Sequence, residues 1–148
     1  MPPISGFGIR GSGFGNWEEG MPAIKSYRDL RVWSNAMDLA QAVYELTKAF
    51  PPSEQYRLTA QIIRAAISIP ANIAEGHMRG TRKDYANFIS IARGSTAELE
   101  TLLLLAERAQ LGPAAPISLA LSKAEDIGRM LTGLHHRLAK QVSRTPGP

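Results

Sequence analysis

Apolar positions recur at helical intervals in four successive stretches of this chain, and no segment alternates with the period of a strand. In the first stretch Leu30, Trp33, Met37, Ala40, Tyr44 and Thr47 step by threes and fours. The pattern predicts a helix opening at Asp29, with Ser26 and Asp29 as a capping box and Trp33 and Tyr44 in the core. Phe50-Pro51-Pro52 closes it, because proline cannot continue a helix. A second helix is predicted from Glu54 to Glu75, with Leu58, Ile62, Ala65, Ile69 and Ile73 on its stripe. Pro70 has no N–H for the carbonyl of Ala66, which predicts a kink near Ala66–Ile67, and Gly76 is placed as the C-terminal cap.

The third helix starts from the capping Thr81, with Asp84 three residues on. Tyr85, Phe88, Ala92, Ser95, Leu99, Leu102, Ala106 and Ala109 form a sustained heptad seam, which Gly112-Pro113 ends. The fourth begins near Pro116 and carries Ile117, Leu121, Ala124, Ile127, Leu131, Leu134 and Leu138. Short connections make neighbouring helices antiparallel, so the reading is all-α, an antiparallel up-down-up-down four-helix bundle over residues 25–141. Residues 1–24, with glycine at 6, 8, 11, 13, 15 and 20, are expected to form a flexible arm. Met21 looks like a natural beginning, and translation from it is an expectation. Residues 142–148 are expected to be a disordered tail. Leu103, Leu104 and Leu105 exceed what one stripe can bury, so part of that run should meet another surface.

Composition narrows the function classes. At 148 residues, 44% hydrophobic and 20% charged, the chain fits one domain with a real core. Cysteine is absent, which excludes disulfides, thiolate metal sites and cysteine nucleophiles and fits a reducing compartment. No apolar run approaches the roughly 20 residues that cross a bilayer, and the N-terminus lacks the plan of a signal peptide. The expected location is the cytoplasm, away from membranes.

Catalytic apparatus is not visible. His77, His135 and His136 form no Glu-x-x-His pair, and Glu75 and His77 lie on different faces, so neither metal nor cofactor is expected. Arg129 and His136 are nearly in line on the last helix, and helical ribonucleases of the HEPN superfamily carry an Arg and a His at similar separation. That resemblance is two residues deep, and Met130 stands where those enzymes usually have a polar residue. No hydrolase elbow or phosphate-cradling glycine loop is present.

Positive charge says more. The net charge is +4, and residues 1–24 carry one cation against two carboxylates, so the excess lies in the helical part. Arg79, Arg82 and Lys83 cluster at the turn between helices two and three, and Lys25, Arg28 and Arg31 stand at the start of helix one. Cations are disfavoured at a helix start, which points to an anionic partner. An antiparallel bundle brings both clusters to one end. Arg57 and Arg64 share a face of helix two, with Arg93 on helix three, and these nine are the candidate nucleic-acid-binding residues.

Three ordered motifs carry a resemblance. They are Tyr27-Arg28-Asp29-Leu30-Arg31-Val32-Trp33, Ser68-Ile69-Pro70-Ala71-Asn72-Ile73-Ala74-Glu75-Gly76, and Gly94-Ser95-Thr96-Ala97-Glu98-Leu99-Glu100. Together they resemble, over residues 24–140, the four-helix-bundle proteins named for intervening sequences in 23S ribosomal RNA genes. The resemblance implies a four-helix subunit, often a ring-like homopentamer, with no established enzyme activity. It also implies distant kinship with accessory proteins of diversity-generating retroelements, which bind reverse transcriptase and RNA. Arg64, Pro70, Asn72, Glu75, Gly76, Ser95, Glu98 and Glu100 match the family pattern, whereas Ile63 replaces a frequent second arginine.

The glycine-rich arm has no counterpart in that family. Asn72 with Glu75, and Ser95 with Glu98, are each three apart on one helix, and are expected to satisfy backbone groups freed by Pro70 or to form a subunit contact. The leading functional expectation is a non-enzymatic, oligomeric scaffold that binds RNA or a nucleoprotein. The alternatives are a protein-only adaptor and a HEPN-like ribonuclease.

Overall fold

A computed structural model describes residues 24–144 of the chain, with side chains through Lys140. The arm expected over 1–24, apart from Ile24, lies outside the described residues, as do the start expected at Met21 and the tail residues 145–148. Among the described residues there are four α-helices: α1 (Arg31–Leu46), α2 (Ala60–Met78), α3 (Arg82–Arg108) and α4 (Ala114–Arg144). The last of these carries helix into the first residues of the expected tail. Among the described residues there is no strand.

Cross-helix pairs fix the directions. Residues 76 and 68 on α2 meet residues 85–88 and 95 on α3, so α2 and α3 run oppositely. Gly128 on α4 lies against Thr96 on α3, and the Tyr85 hydroxyl faces Arg137, so α3 and α4 do the same. Asn35 donates to Met130 at 3.4 Å while Phe50 packs on Gly112, which sets α1 against α4. The order around the bundle is α1, α2, α3, α4, each helix packed on the next and α4 closing on α1.

The core is aliphatic. Leu39, Ile62, Ile69, Ile73, Ile89, Leu99, Leu103, Ile117, Ile127 and Leu131 are fully enclosed. Each such side chain stabilises the fold by about 1.5–3 kcal/mol relative to exposure. On α4 Ile117, Ala124, Ile127, Leu131 and Leu138 of the expected stripe are buried, with Ala120 added, and Leu121 and Leu134 are half-buried against them. On α1 the buried positions are Val32, Ala36, Leu39, Val43 and Leu46, one step around from the expected stripe. Met37 and Tyr44 therefore face solvent at 44% and 56% exposure, and Tyr44 is not a core residue. Two interleaved apolar rows run along this helix, and the aliphatic row packs more closely than the aromatic one.

Two features of helix two also differ from expectation. Regular α-helix begins only at Ala60; before it come a 3₁₀ turn (Pro52–Glu54) and a π-helical turn (Gln55–Thr59). The non-helical backbone is at Arg57 (φ −112°, ψ −108°), and α2 passes unbroken through Pro70. Ile69 and Ile73 on either side of the proline are fully buried, so the core packs against both sides of the missing hydrogen bond.

Gly76 is not the cap. It is buried inside α2, where Arg79 serves as C-cap and donates its N–H to the carbonyl of Gly76. A Cβ at this position would stand 2.7 Å from Phe88 Cβ and 3.3 Å from the Tyr85 carbonyl oxygen. Neither neighbour is a flexible side-chain tip, so the two helices touch here because glycine lets them. At the far end α3 stops in a Schellman arrangement: Leu111 N–H donates to Ala106 O and Gln110 N–H to Glu107 O, both at 3.1 Å. Gln110 takes φ 55°, a left-handed conformation that favours glycine.

Two stability predictions result. Gly76→Ala gains about 1 kcal/mol of helix propensity but forces overpacking that costs about 1–3 kcal/mol, so chemical denaturation should show a net loss. Gln110→Gly should stabilise by about 0.5–1 kcal/mol in the same measurement, since it removes the left-handed penalty at a solvent-exposed position.

Candidate nucleic-acid interface

The antiparallel order gathers charge at one end of the bundle. Ser26 Oγ accepts from Arg28 N–H at 3.1 Å, and the Asp29 carboxylate accepts from the N–H groups of Lys25 and Ser26 at 2.8 and 3.2 Å. The expected capping box thus exists, but it closes a short 3₁₀ turn (Tyr27–Asp29) ahead of α1. Lys25, Arg28 and Arg31 are displayed there, with Arg28 over the Tyr27 ring at 5.3 Å. Arg79 caps α2 and lies over Phe88 at 4.8 Å, and Arg82 and Lys83 are the first residues of α3. Thr81 Oγ1 accepts from Asp84 N–H at 3.1 Å, which fixes that start.

The return of α4 adds Arg137 and Lys140 to this end, two cations that the cluster-by-cluster reading of the sequence missed. Their signal was available: the last helix of an antiparallel four-helix bundle ends where the first begins. The end thus holds eight cations against three carboxylates, Asp29, Glu75 and Asp84, over residues 24–140. The rest of that span holds seven cations against eight carboxylates. The entire positive excess of the described helices sits at one end.

Tyr85 belongs to this end: burial raises the pKa of its hydroxyl, and the nearby Arg137 pulls it partly back. His77 stands edge-on to Tyr85, with ring centroids 5.6 Å apart and its Nδ1 enclosed without a protein partner. Glu75 is turned outward and paired with Arg79 at 2.8 Å.

The other motif residues lie along α2 and α3. Ser68 Oγ and Ser95 Oγ are 2.7 Å apart across the two helices, and Asn72 Nδ2 donates to both the carbonyl and the hydroxyl of Ser68, at 2.8 and 2.9 Å. Asn72 and Ser95 are thus joined through Ser68. The carbonyl that Asn72 engages is that of Ser68, not the Ala66 carbonyl freed by Pro70. Ser68, which opens the second motif but has no role assigned from the sequence, is the residue through which this cross-helix polar lock runs.

Arg57 and Arg64 stand apart from the basic end, in a recess of about 470 Å³ with Tyr56, Gln61, Ser68 and Glu98. Arg93 lines a third place, a groove between α3 and α4 of about 700 Å³ floored by Gly94, Ala97 and Gly128. Arg129 lines the same groove and is paired with Asp126, while His136 is exposed and not part of the lining. Glu100 and Glu125 face each other in the groove, and Glu100 is held above the usual carboxylate range, first by burial and then by the Glu125 charge.

The comparisons with known proteins agree with this architecture. A profile of the family described as 23S rRNA-intervening sequence protein matches residues 28–133. No curated protein matches the chain. A solved structure of a protein of unknown function from the S23 ribosomal protein family of Bacteroides thetaiotaomicron is similar to it, with 26% identity and a TM-score of 0.65. The match covers 70% of this chain and 97% of that one.

The raised Glu100 makes a pH prediction. Native Glu100 binds its proton more tightly than the unfolded chain does, so its contribution to stability is present below the unfolded carboxylate pKa and is lost as pH rises through the folded one. Glu100→Gln should therefore raise the melting temperature at neutral pH, and the gain should vanish below the carboxylate range. Melts across that range check it.

Proposed function

The chain belongs to the 23S rRNA-intervening sequence protein family, and on that footing we propose that it is a non-enzymatic scaffold binding RNA, or an RNA–protein complex, through the basic end of the bundle. The observation that carries this reading is the placement of Arg31, Arg82 and Lys83. All three occupy the first turns of helices, where the dipole already presents positive charge, and none forms an ion pair among the described residues. An external phosphate backbone is the partner that such an arrangement suits.

Self-assembly belongs to the same proposal. Ile67 on α2 and Ile91, Leu104 and Leu105 on α3 are about half exposed, and of the leucine run only Leu103 is enclosed. These apolar side chains support contact with further copies, in the ring of five that the resemblance implies. Several copies of a modest patch bind one RNA by avidity, so weak single contacts suffice.

The test is the salt dependence of binding to a structured RNA. The logarithm of affinity should fall linearly with the logarithm of salt, by about 0.7–0.9 for each phosphate neutralised. The double variant Arg82→Glu, Lys83→Glu should weaken binding and lower that slope by about 2 per subunit engaged. No binding at low salt, or binding indifferent to salt, rejects the reading.

A further inference from the structure

The sequence gives no sign of an aromatic ring free for stacking, yet the structure presents one. Tyr56 is 87% exposed, the highest of the large hydrophobic side chains among the described residues. It stands in the π-helical turn that precedes α2, beside the break at Arg57, and it lines the recess at the α2–α3 face. We propose that this recess is a stacking site for an unpaired RNA base, with Arg57 and Arg64 placed for the flanking phosphates.

The lining suits that ligand. Gln61, Arg64 and Ser68 follow one another by three and four residues, which puts them along one face of α2, and Arg57 in the turn before it lines the same recess. Arg64 forms no ion pair among the described residues, and Arg57 is only loosely held, 3.9 Å from Glu54 with its own side chain 74% exposed. Both guanidiniums are thus available for phosphate. Gln61 offers a donor and an acceptor to a base edge, and Glu98 on the opposite wall can only accept, which fits an exocyclic amine and repels phosphate from that side. Ser68 is already bonded to Ser95 and Asn72, so it shapes the floor.

A tyrosine ring with both faces open can stack on any base, but only on one that is not already stacked in a duplex. Arg64 and Arg79 lie about 22 Å apart along α2 at 1.5 Å per residue, so one RNA touching both the recess and the basic end would span several nucleotides. The inference rests on the RNA-binding reading and adds to it a preference for unpaired segments.

The test uses the full chain, a labelled oligoadenylate of about 10 nucleotides, a length within the usual single-strand site sizes, and a blunt RNA duplex of equal length. Tyr56→Ala should weaken binding of the oligoadenylate by about 5- to 100-fold, the usual effect of losing one stacking ring, and leave the duplex unaffected. Tyr56→Phe, which keeps the ring, should bind like the wild type, and Arg64→Gln should weaken the oligoadenylate with a shallower salt slope. Sedimentation of each variant reads the copy number. Equal binding of the oligoadenylate by Tyr56→Ala and wild type overturns the stacking site while the basic-end reading stands. Equal loss on both probes, or a changed copy number in Tyr56→Ala, also overturns it, since the ring would then hold the assembly. Failure of the wild type to bind either probe at low salt removes both readings.

Discussion

The close approach of α2 to α3 is the contact on which the rest of this bundle depends. Gly76 permits it at one end, where a methyl group would run into Phe88 and the Tyr85 carbonyl. The Asn72–Ser68–Ser95 hydrogen bonds hold it midway. The glycine sets how near the helices come, and the polar lock sets their register, because a shift of one residue would leave partly buried polar groups unpaired. Hydrophobic burial alone would not choose between registers, since the aliphatic seam repeats every turn. Once α2 and α3 are fixed, α4 and α1 pack into the remaining angles, and the two basic clusters fall at one end.

How much of this could be read from the sequence depends on the kind of signal. Apolar periodicity announced four helices and their turns, and the stripe of α4 was legible almost residue by residue. On α1 the same method centred its stripe on the less buried of two adjacent rows: Met37 and Tyr44 face solvent, whereas Thr47 is buried and Leu30, Trp33 and Ala40 pack half-buried on the core. Packing decided between them: Ala36, Leu39 and Val43 fit a close helix contact that large aromatic rings do not. Pro70 does not end the helix: α2 continues through it to Met78, with Ile69 and Ile73 buried on either side.

The site was legible in part. Six of the nine proposed cations stand at one end, as the antiparallel topology required, and three stand elsewhere. Arg137 and Lys140 were missed because they form no cluster in the sequence; they join the others only through the fold. Tyr56 was invisible for a different reason. It lies off the apolar stripe of helix two, where nothing in the sequence marks it, and it stands in a π-helical turn that no local propensity announces.

The charges at the basic end divide into those that folding accounts for and those that it does not. Arg79 caps the C-terminus of α2, where the helix dipole is negative and a cation gains about 0.3–1 kcal/mol, and Arg137 and Lys140 stand further from the end of α4, where that gain is smaller. Arg79 gains further from Glu75 and the Phe88 face. Arg31, Arg82 and Lys83 stand at the opposite poles of α1 and α3, where the same interaction is unfavourable by a similar amount. Repulsion from the neighbouring cations adds to that cost. Asp84 in the first turn of α3 offsets part of it, whereas Asp29 is engaged by two backbone N–H groups and Glu75 by Arg79. With one first-turn carboxylate on α3 and none on α1, these three cations are placed less favourably for folding than a cation at a helix C-terminus. A phosphate chain laid across the end would reverse the sign of each of these interactions together.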